Sequence, residues 1–365
     1  MMSNPFIATS EYDGSEYVTF RCSLNRAVLK KLPLYGIEDE IEGKCFSDIF
    51  STPLIVSEIR RLSRFYRIDL SDIPDARLPM VVNEALVSED VRYHQLAERV
   101  IKKFGNRLGL LFLTLRKGER ENRLDRPDWD DSCWDYWKNI STLILTGGLA
   151  SSMLGRRFKE QVHYIFDMAG EKPYHIMLYD NGAYLGVMGV AQRLMDDHSA
   201  VLVFDLGHTN FKRAVVRMEN GLIAGFSPFE SLPSRYMQSS FDSQEECLAA
   251  AVELHKYVLH TIVSTYKEAS EVTRLSDTIL ISIANYTYSG RLNRVRGGFS
   301  KLCQLGTDNY AAVLEEDLSG ELRRDIKVRL VHDATATALY FSDIPDAVCL
   351  TLGTAFGVGF PQINI

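Results

Sequence analysis

Two consecutive segments of the chain show the order strand, turn, helix. Residues 140–158 (ISTLILTGGLASSMLGRRF) begin as an apolar run, pass through a glycine pair and continue with helical periodicity. Residues 174–195 repeat this order with a turn of the sequence Asp-Asn-Gly. Such units in series are typical of proteins in which helices cover a sheet. The sequence therefore predicts an α/β fold.

Beyond residue 200 short strands dominate the pattern. Three apolar runs at 201–206, 211–218 and 222–229 are separated by tight turns. A helix pattern follows over 243–270, and it begins with the capping-box spacing Ser-x-x-Glu. Two more strands are predicted at 278–284 and 327–331, with helices at 309–318 and from residue 333 onward.

The composition excludes several classes of protein. A length of 365 residues favours two domains, and 46% hydrophobic residues supply their cores. The formal net charge of −7 argues against a nucleic-acid footprint and against a polybasic membrane patch. The longest apolar run, 108–115, is too short to span a bilayer, and the first residues lack the pattern of a signal peptide. We therefore expect a cytoplasmic protein with no nucleic-acid or membrane partner.

The six cysteines are scattered along the chain. They form no Cys-x-x-Cys pair and no cluster with histidine in the sequence. The spacing therefore predicts neither a disulfide framework nor a zinc site.

The segment 116–139 is polar and charged, and it contains all three tryptophans. Long polar segments between helical patterns are usually surface loops. We predict a surface excursion anchored by its aromatic side chains, with a partner-binding surface as the alternative.

The stretch 201–216 (VLVFDLGHTNFKRAVV) places polar residues where packing alone does not require them. Asp205 supplies a carboxylate suited to Mg²⁺, which takes few protein ligands and keeps most of its waters. Gly207 permits a phosphate to approach the backbone, and Thr209 adds a hydroxyl to the N–H groups of the turn. Lys212 adds a positive charge. The alternative is an ordinary hairpin turn with polar residues.

Two other glycine turns suit a nucleotide. Residues 350–360 (LTLGTAFGVGF) place Thr354 among three glycines between two strands, and no Gly-Lys-Ser/Thr follows as in a P-loop. Residues 145–153 carry Gly147 and Gly148 before a helix, where a nucleobase or ribose fits against the backbone and the helix N-terminus. The alternatives are a plain glycine-rich hairpin and tight packing of helix on strand.

Asp333 stands between a strand and a helix in 329–341 (RLVHDATATALYF). An aspartate at this junction is a favoured N-cap. The functional interpretation is a general base, because sites in α/β proteins lie at the C-terminal ends of strands. This residue alone leaves both interpretations open.

Together, these four motifs resemble the ATP site of the actin/hexokinase/Hsp70 (ASKHA) superfamily, and within it the ROK sugar kinases. The resemblance covers most of residues 80–198 and 200–365 and is weak over 1–75. It implies an α/β, two-lobed actin/hexokinase-like (ribonuclease H-like) fold with the ATP cleft between the lobes. It also implies an ATP-dependent carbohydrate kinase with ATP and Mg²⁺ as cofactors.

The order of the motifs differs from that of the family. In ROK kinases the Asp-x-Gly-x-Thr turn stands near the N-terminus and the Gly-Gly motif near the C-terminus, whereas here Gly147 precedes Asp205. Reading 200–365 before 1–198 restores the family order. The resemblance therefore implies a circular permutation, which proteins tolerate at exposed strand connections.

The permuted order implies two lobes. The smaller lobe, 199–342, would carry the first phosphate turn and Asp333. The larger lobe, 1–198 plus 343–365, would carry the second glycine hairpin and the Gly-Gly motif.

The resemblance also implies roles for single residues. Asp333 would be the general base that takes a proton from the acceptor hydroxyl, and Asp205 would hold Mg²⁺ through water. The phosphates of the nucleotide would be contacted by Gly207, His208, Thr209, Asn210, Lys212, Gly353 and Thr354. The adenosine would be flanked by Gly147, Gly148, Asn181 and Gly182.

The acceptor half departs from the family pattern. ROK kinases carry Asn before the catalytic Asp, where this chain has His332, and their Gly-Glu-x-Gly-His motif and cysteine-rich zinc loop are absent from the sequence. The acceptor is expected to contact His332 and the loop 285–298, with a solvated basic loop as the alternative. The loop residues expected to contact it are Asn285, Asn293 and Arg296.

Three functional hypotheses follow from these residues. The first is a kinase for a sugar or sugar-like hydroxyl, with a small-molecule acceptor as its partner and a homodimer as its expected assembly. The second is a non-catalytic nucleotide or sugar sensor of the same fold. The third is an actin-like assembly protein. Asp333 discriminates among them, because only the kinase requires a proton acceptor there.

Overall fold

The computed structural model describes residues 3–180, 182–194, 200–294, 297–306 and 309–365. These residues form two compact units. The first unit comprises Met1–Phe6, Arg21–Gly182 and Asp346–Val358. The second unit comprises Ile7–Phe20, Ala183–Pro345 and Gly359–Ile365.

The described elements alternate between helices and short strands. The strands are β1 Ile7–Thr9, β2 Glu16–Val18, β3 Thr142–Thr146, β4 His175–Leu178, β5 Ala200–Leu206, β6 Asn210–Glu219, β7 Leu222–Pro228, β8 Leu232–Pro233, β9 Thr278–Ile283, β10 Thr287–Tyr288, β11 Arg291–Leu292, β12 Lys327–His332, β13 Ala347–Leu352 and β14 Phe356–Gly359. The helices are α1 Thr52–Tyr66, α2 Leu78–Leu86, α3 Val91–Lys117, α4 Arg120–Leu124, α5 Asp131–Asn139, α6 Ser152–Met168, α7 Leu185–Leu194, α8 Gln244–Ser270, α9 Tyr310–Leu322 and α10 Asp333–Leu339.

The second unit is built on a sheet with the strand order β12-β9-β5-β6-β7. Strands β5, β6 and β7 run antiparallel in sequence, whereas β9 and β12 pair parallel to β5 and to each other. Three antiparallel strands followed by two parallel strands that are reached through helices make the ribonuclease H-like arrangement. The α/β fold class predicted from the sequence is therefore confirmed.

Both faces of this sheet are covered, which explains why the run 201–206 is almost continuously apolar. Leu202 and Phe204 belong to a buried cluster with residues of α8 and α9. Val201 and Val203 point to the opposite face and pack in a second cluster with residues of α7 and α10. The central strand β5 is thereby fixed in register, since a one-residue slip would exchange the two sets.

Helix α8 begins where its capping-box sequence predicts. The hydroxyl of Ser243 accepts a hydrogen bond from the Glu246 N–H at 3.1 Å, and the Glu246 carboxylate accepts one from the Asp242 N–H at 3.0 Å. Two N–H groups at the helix start are therefore satisfied by side chains.

The units differ from the predicted lobes at four places, of which the shortest is 343–345, now in the second unit. Helix α7 and the segments Ile7–Phe20 and Gly359–Ile365 belong to the second unit, although the sequence analysis assigned them to the larger lobe. Val187 and Val190 of α7 are fully buried against the sheet. The unit to which α7 belongs is therefore decided by its apolar packing on the sheet and not by its position in the sequence.

The first unit contains a sheet with the order β14-β13-β3-β4, in which β13, β3 and β4 run parallel. The long helix α3 packs along α6, and this contact depends on two glycines of α3. A Cβ on Gly105 would lie 2.5 Å from Gln161 Cβ, and a Cβ on Gly109 would lie 2.8 Å from Ile165 Cβ. The absence of side chains there lets the two helices approach closely.

The tryptophan segment 116–139 is not the surface loop that the sequence predicts. It contains α4 and α5, and its three indole rings are 5% exposed or less. Trp129 packs with Trp134 and Trp137 at ring-centroid distances of 5.0 and 6.5 Å, and with Phe6 at 5.2 Å. The predicted anchoring by aromatic side chains is confirmed, whereas the predicted loop is wrong because charged residues on two short helices conceal the helical pattern.

Within the described part of the chain, no helix combines the length and the apolar character needed to cross a membrane.

Candidate functional site

Polar residues gather at the C-terminal ends of the parallel strands of the second unit. Asp205 lies near the end of β5, Ser282 lies opposite it in β9, and Asp333 directly follows β12. Neighbouring parallel strands end side by side, and ligand-binding sites of α/β sheets usually lie at these C-terminal ends.

Asp205 is held by two side chains. Its Oδ2 accepts a hydrogen bond from Lys212 Nζ at 3.0 Å, and its Oδ1 accepts one from Ser282 Oγ at 2.9 Å. Lys212 lies directly opposite Asp205 in the antiparallel β5–β6 ladder, so the tight turn between these strands sets the ion pair. The carboxylate is thereby oriented, and a carboxylate has further lone pairs with which it can bind a cation or accept a hydrogen bond.

Ser282 was missed by the sequence analysis. Its side chain is fully buried, and it is the one polar side chain between the apolar residues of Leu280–Ile283. A hydroxyl in such a strand needs a hydrogen-bond partner, which was the available signal. The identity of that partner, Asp205, requires the register of β9 on β5.

Helix α7 begins beside this carboxylate. A Cβ on Gly186 would lie 3.3 Å from Ser282 Oγ and 3.5 Å from Asp205 Cγ. Glycine at this position therefore keeps the space between the helix backbone and the Asp205–Ser282 pair clear of a side chain.

Asp333 is the first residue of α10, and its Oδ1 accepts a hydrogen bond from the Ala334 N–H at 2.7 Å. Burial, followed by the negative charge of Asp205, raises the pKa of Asp333 to about 7. Water still reaches the carboxyl group, since 42% of the side chain is exposed, and it screens part of this effect. An aspartate with an upward-shifted pKa beside a second carboxylate has the character of an acid–base group.

His332 lies behind Asp333 and is 7% exposed. Its ring stacks on Tyr286 at a centroid distance of 4.3 Å, its Nδ1 lies 3.0 Å from Thr335 Oγ1, and its Nε2 lies 3.3 Å from Asp333 Oδ1. Burial lowers the pKa of His332 to about 3, so the imidazole is neutral. With the Thr335 hydroxyl donating to Nδ1, the Nε2–H group faces the Asp333 carboxyl.

The turn after β5 is braced from the loop that follows β8. The Gly207 N–H donates to the Asn210 carbonyl at 3.1 Å, and Ser234 bonds the turn twice, with Oγ donating to the Gly207 carbonyl at 2.7 Å and its N–H donating to the Thr209 carbonyl at 2.9 Å. His208, Thr209 and Asn210 are exposed. The structure therefore fixes the backbone of the predicted phosphate turn and presents its polar side chains to solvent. Sequence analysis did not anticipate Ser234.

The predicted glycine turns of the first unit lie at the C-terminal ends of its parallel strands. Gly147 follows β3 with a left-handed φ of +90°, and a Cβ there would lie 2.5 Å from the Leu352 carbonyl oxygen of β13. Gly148 and Gly353 have open space around their Cα atoms, and Thr354 is exposed. Pairing of β13 with β3 therefore brings these turns side by side.

The predicted adenosine turn at 180–182 follows β4 at the same edge. Asp180 Oδ1 accepts a hydrogen bond from the Ser152 N–H at 2.7 Å at the start of α6. Gly182 begins a short 3-10 turn. Asn181 lies outside the described residues.

The predicted acceptor residues are placed less favourably. Asn285 is 5% exposed, and its amide closes a ring with the backbone of Asn293, donating to the carbonyl at 3.2 Å and accepting from the N–H at 2.9 Å. These bonds shape the loop between β9 and β11. Arg296 lies outside the described residues. His332 lies beside Asp333, with its Nε2 3.3 Å from Asp333 Oδ1.

No protein-family model matches the chain, and no curated protein matches it. Among solved structures, the chain is similar to the ethanolamine utilization protein EutJ from Carboxydothermus hydrogenoformans. The two are 15% identical with a TM-score of 0.32, and the match covers 64% of this chain and 75% of EutJ.

Proposed function

We propose that this chain is an ATP-dependent phosphotransferase that phosphorylates a hydroxyl of a sugar or sugar-like molecule. One observation supports the proposal most strongly. At the end of the parallel strands, a carboxylate tied to a lysine and a serine lies near a second carboxyl with a raised pKa. Environments that give two carboxylates different properties are typical of acid–base sites.

In this proposal Asp333 accepts the proton of the attacking hydroxyl, and the neutral imidazole of His332 fixes its orientation. The Gly207 N–H is bonded to the Asn210 carbonyl, so the turn binds the phosphates through the N–H groups that follow Gly207 and through the Thr209 hydroxyl. Lys212 balances the negative charge of Asp205 and of the phosphates. These roles agree with phosphoryl transfer, in which the protein mainly positions groups and stabilises charge.

The same cluster fits a magnesium ion. Among the described residues, no group of three or more His, Cys, Asp or Glu side chains is arranged to hold a metal. Mg²⁺ does not need one, because it often binds through one carboxylate and several waters. Asp205 would hold it, and the ion would neutralise charge on the phosphate oxygens.

The proposal is tested by measuring ADP release with ATP and Mg²⁺ across a panel of sugars, polyols and nucleosides. We expect turnover only when the matching acceptor is present. Nucleotide binding in calorimetry without turnover on any acceptor would instead favour a sensor. One observation favours the sensor. The amide of Asn285, which was expected to contact an acceptor, is instead bonded to the Asn293 backbone.

The raised pKa of Asp333 predicts the pH dependence of the reaction. The base accepts a proton only when it is ionised, so kcat/KM, which reports the ligand-free enzyme, should rise as the pH increases through about 7 and should fall on the acid side. Rates measured from about pH 5 to about pH 9 test this sign. Nucleotide affinity measured at the same pH values is the control, and a rate that is flat across this range would contradict the assignment.

Ser282→Ala should weaken the binding of Mg-nucleotide by about tenfold, because Asp205 loses one of its two orienting hydrogen bonds. Ser264→Ala is the matched control, since its hydroxyl bonds only a carbonyl within α8. Calorimetric titration of both variants measures the difference. Equal affinity in the two variants would show that Ser282 does not position Asp205 for the ligand.

A further inference from the structure

The second unit contains a cavity of about 340 Å³ on the outer side of its sheet. The walls come from the edge strand β12, the β1–β2 hairpin, the β10–β11 hairpin and the start of α9. Neither Asp205 nor Asp333 lines it, but His332 and Thr335 do, so the cavity adjoins the carboxylate cluster across the His332 ring. We propose that this cavity binds a small organic cation of the protonated-amine class.

The cavity exists because β12 is the last strand of the sheet. Its outward-facing backbone is covered by side chains instead of another strand. The Val328 N–H donates to Glu315 Oε1 at 2.8 Å, and the Leu330 carbonyl lies 3.5 Å from the Thr287 hydroxyl. These side chains leave a space between β12 and the β1–β2 and β10–β11 hairpins. The volume of this cavity is in the range of small-molecule binding sites.

The charge of the lining favours a cation. Three carboxylates line the cavity, from Asp13, Glu16 and Glu315, against one guanidinium, from Arg329. Glu16 and Glu315 each accept a backbone N–H through one oxygen, from Asn364 at 2.8 Å and from Val328 at 2.8 Å. In the part of the chain that the structure describes, neither carboxylate has an ion-pair partner within 4.0 Å. Each therefore brings an oriented negative charge to the cavity, and the charge of Glu315 also interacts with Lys327 without forming an ion pair.

Aromatic side chains strengthen this preference. Tyr17 and Tyr288 both line the cavity, and their ring centroids lie 5.3 Å apart. Tyr12 extends the same cluster, with its centroid 6.4 Å from that of Tyr288. The guanidinium of Arg291 lies over the Tyr12 ring at 3.7 Å. Tyr12 does not line the cavity and its face is occupied by Arg291, so a ligand ammonium would use the rings of Tyr17 and Tyr288 instead.

Calorimetric titration of the full chain with putrescine (1,4-diaminobutane) and with butane-1,4-diol tests the proposal. The two molecules share their carbon chain and differ in charge. We expect the diamine to bind at least about tenfold more tightly than the diol, because charge-assisted hydrogen bonds to two carboxylates are formed only by the diamine. Equal binding of the two molecules, or no binding of the diamine, would overturn the proposal.

Glu315→Gln and its matched control Glu316→Gln locate the binding. Glutamine at 315 keeps an oxygen for the Val328 N–H but removes the charge, whereas Glu316 is exposed and lies outside the lining. We expect Glu315→Gln to weaken putrescine binding by about tenfold and Glu316→Gln to leave it unchanged. Equal weakening in both would indicate attraction to the acidic surface as a whole and would refute the cavity site. Should Glu315→Gln fail to fold, Glu16→Gln makes the same comparison. None of these measurements depends on phosphotransfer, so either proposal can fail without the other.

Discussion

Asp333→Asn is expected to lower kcat by about 10²–10⁴-fold while nucleotide affinity stays within about twofold. The amide has nearly the same shape as the carboxyl group, and its oxygen can keep the Ala334 N–H bond and the contact with His332. It cannot take up a proton from an acceptor hydroxyl. Loss of turnover without loss of binding is therefore the expected signature of a general base.

Coupled measurement of ADP release and calorimetric titration with nucleotide separate the two quantities. Asp343→Asn is the control, since it makes the same chemical change at an exposed aspartate of the second unit. Unchanged turnover in Asp333→Asn would remove this residue from the mechanism. A parallel loss of nucleotide affinity would assign Asp333 to binding instead.

Gly189→Ala should lower the free energy of unfolding by about 2 kcal/mol. A Cβ on Gly189 of α7 would collide with the Ala336 carbonyl oxygen of α10 and would lie 2.8 Å from the Tyr340 N–H nitrogen. Both neighbours are backbone atoms, so the two helices must move apart. Separation would loosen the buried contacts of Val187 and Val190.

Gly320→Ala in α9 is the matched control, because it lies inside a helix of the same unit and a methyl group added there would meet no neighbour within 4 Å. It should raise the free energy of unfolding by up to about 1 kcal/mol through helix propensity. Urea denaturation followed by far-ultraviolet circular dichroism measures both variants. Tryptophan fluorescence is unsuitable, since all three tryptophans belong to the first unit. A stabilising Gly189→Ala would show that α7 does not pack tightly on α10.

Local pattern predicted the elements of the second unit well, because its strands and helices carry strong apolar runs and clear turn or cap residues. The capping box at Ser243 and the hairpin turn before Lys212 are interactions between near neighbours in sequence. The position of α7 could not be predicted in this way. Its apolar face fits any buried surface, and only the three-dimensional packing shows which surface it covers.

The contacts of the candidate site likewise differ in whether local sequence predicts them. Asp205 and Lys212 are seven residues apart and follow from one hairpin. Ser282 is 77 residues away from Asp205, and its role depends on strand register. For the tryptophan segment, polar composition misled the prediction, since short amphipathic helices can carry charge on one face and bury indoles on the other.

The positions of β5 and β12 in the sheet have a consequence for amide hydrogen exchange. Among the residues that the structure describes, β5 is bonded to strands on both sides, whereas β12 is bonded to β9 alone. Deuterium should enter β5 only through global opening, while β12 can exchange by fraying of the edge. The strand that leads to Asp333 should therefore exchange its amide hydrogens faster than the strand that carries Asp205. Transient fraying of β12 would displace the base while leaving the Asp205–Lys212 pair in place.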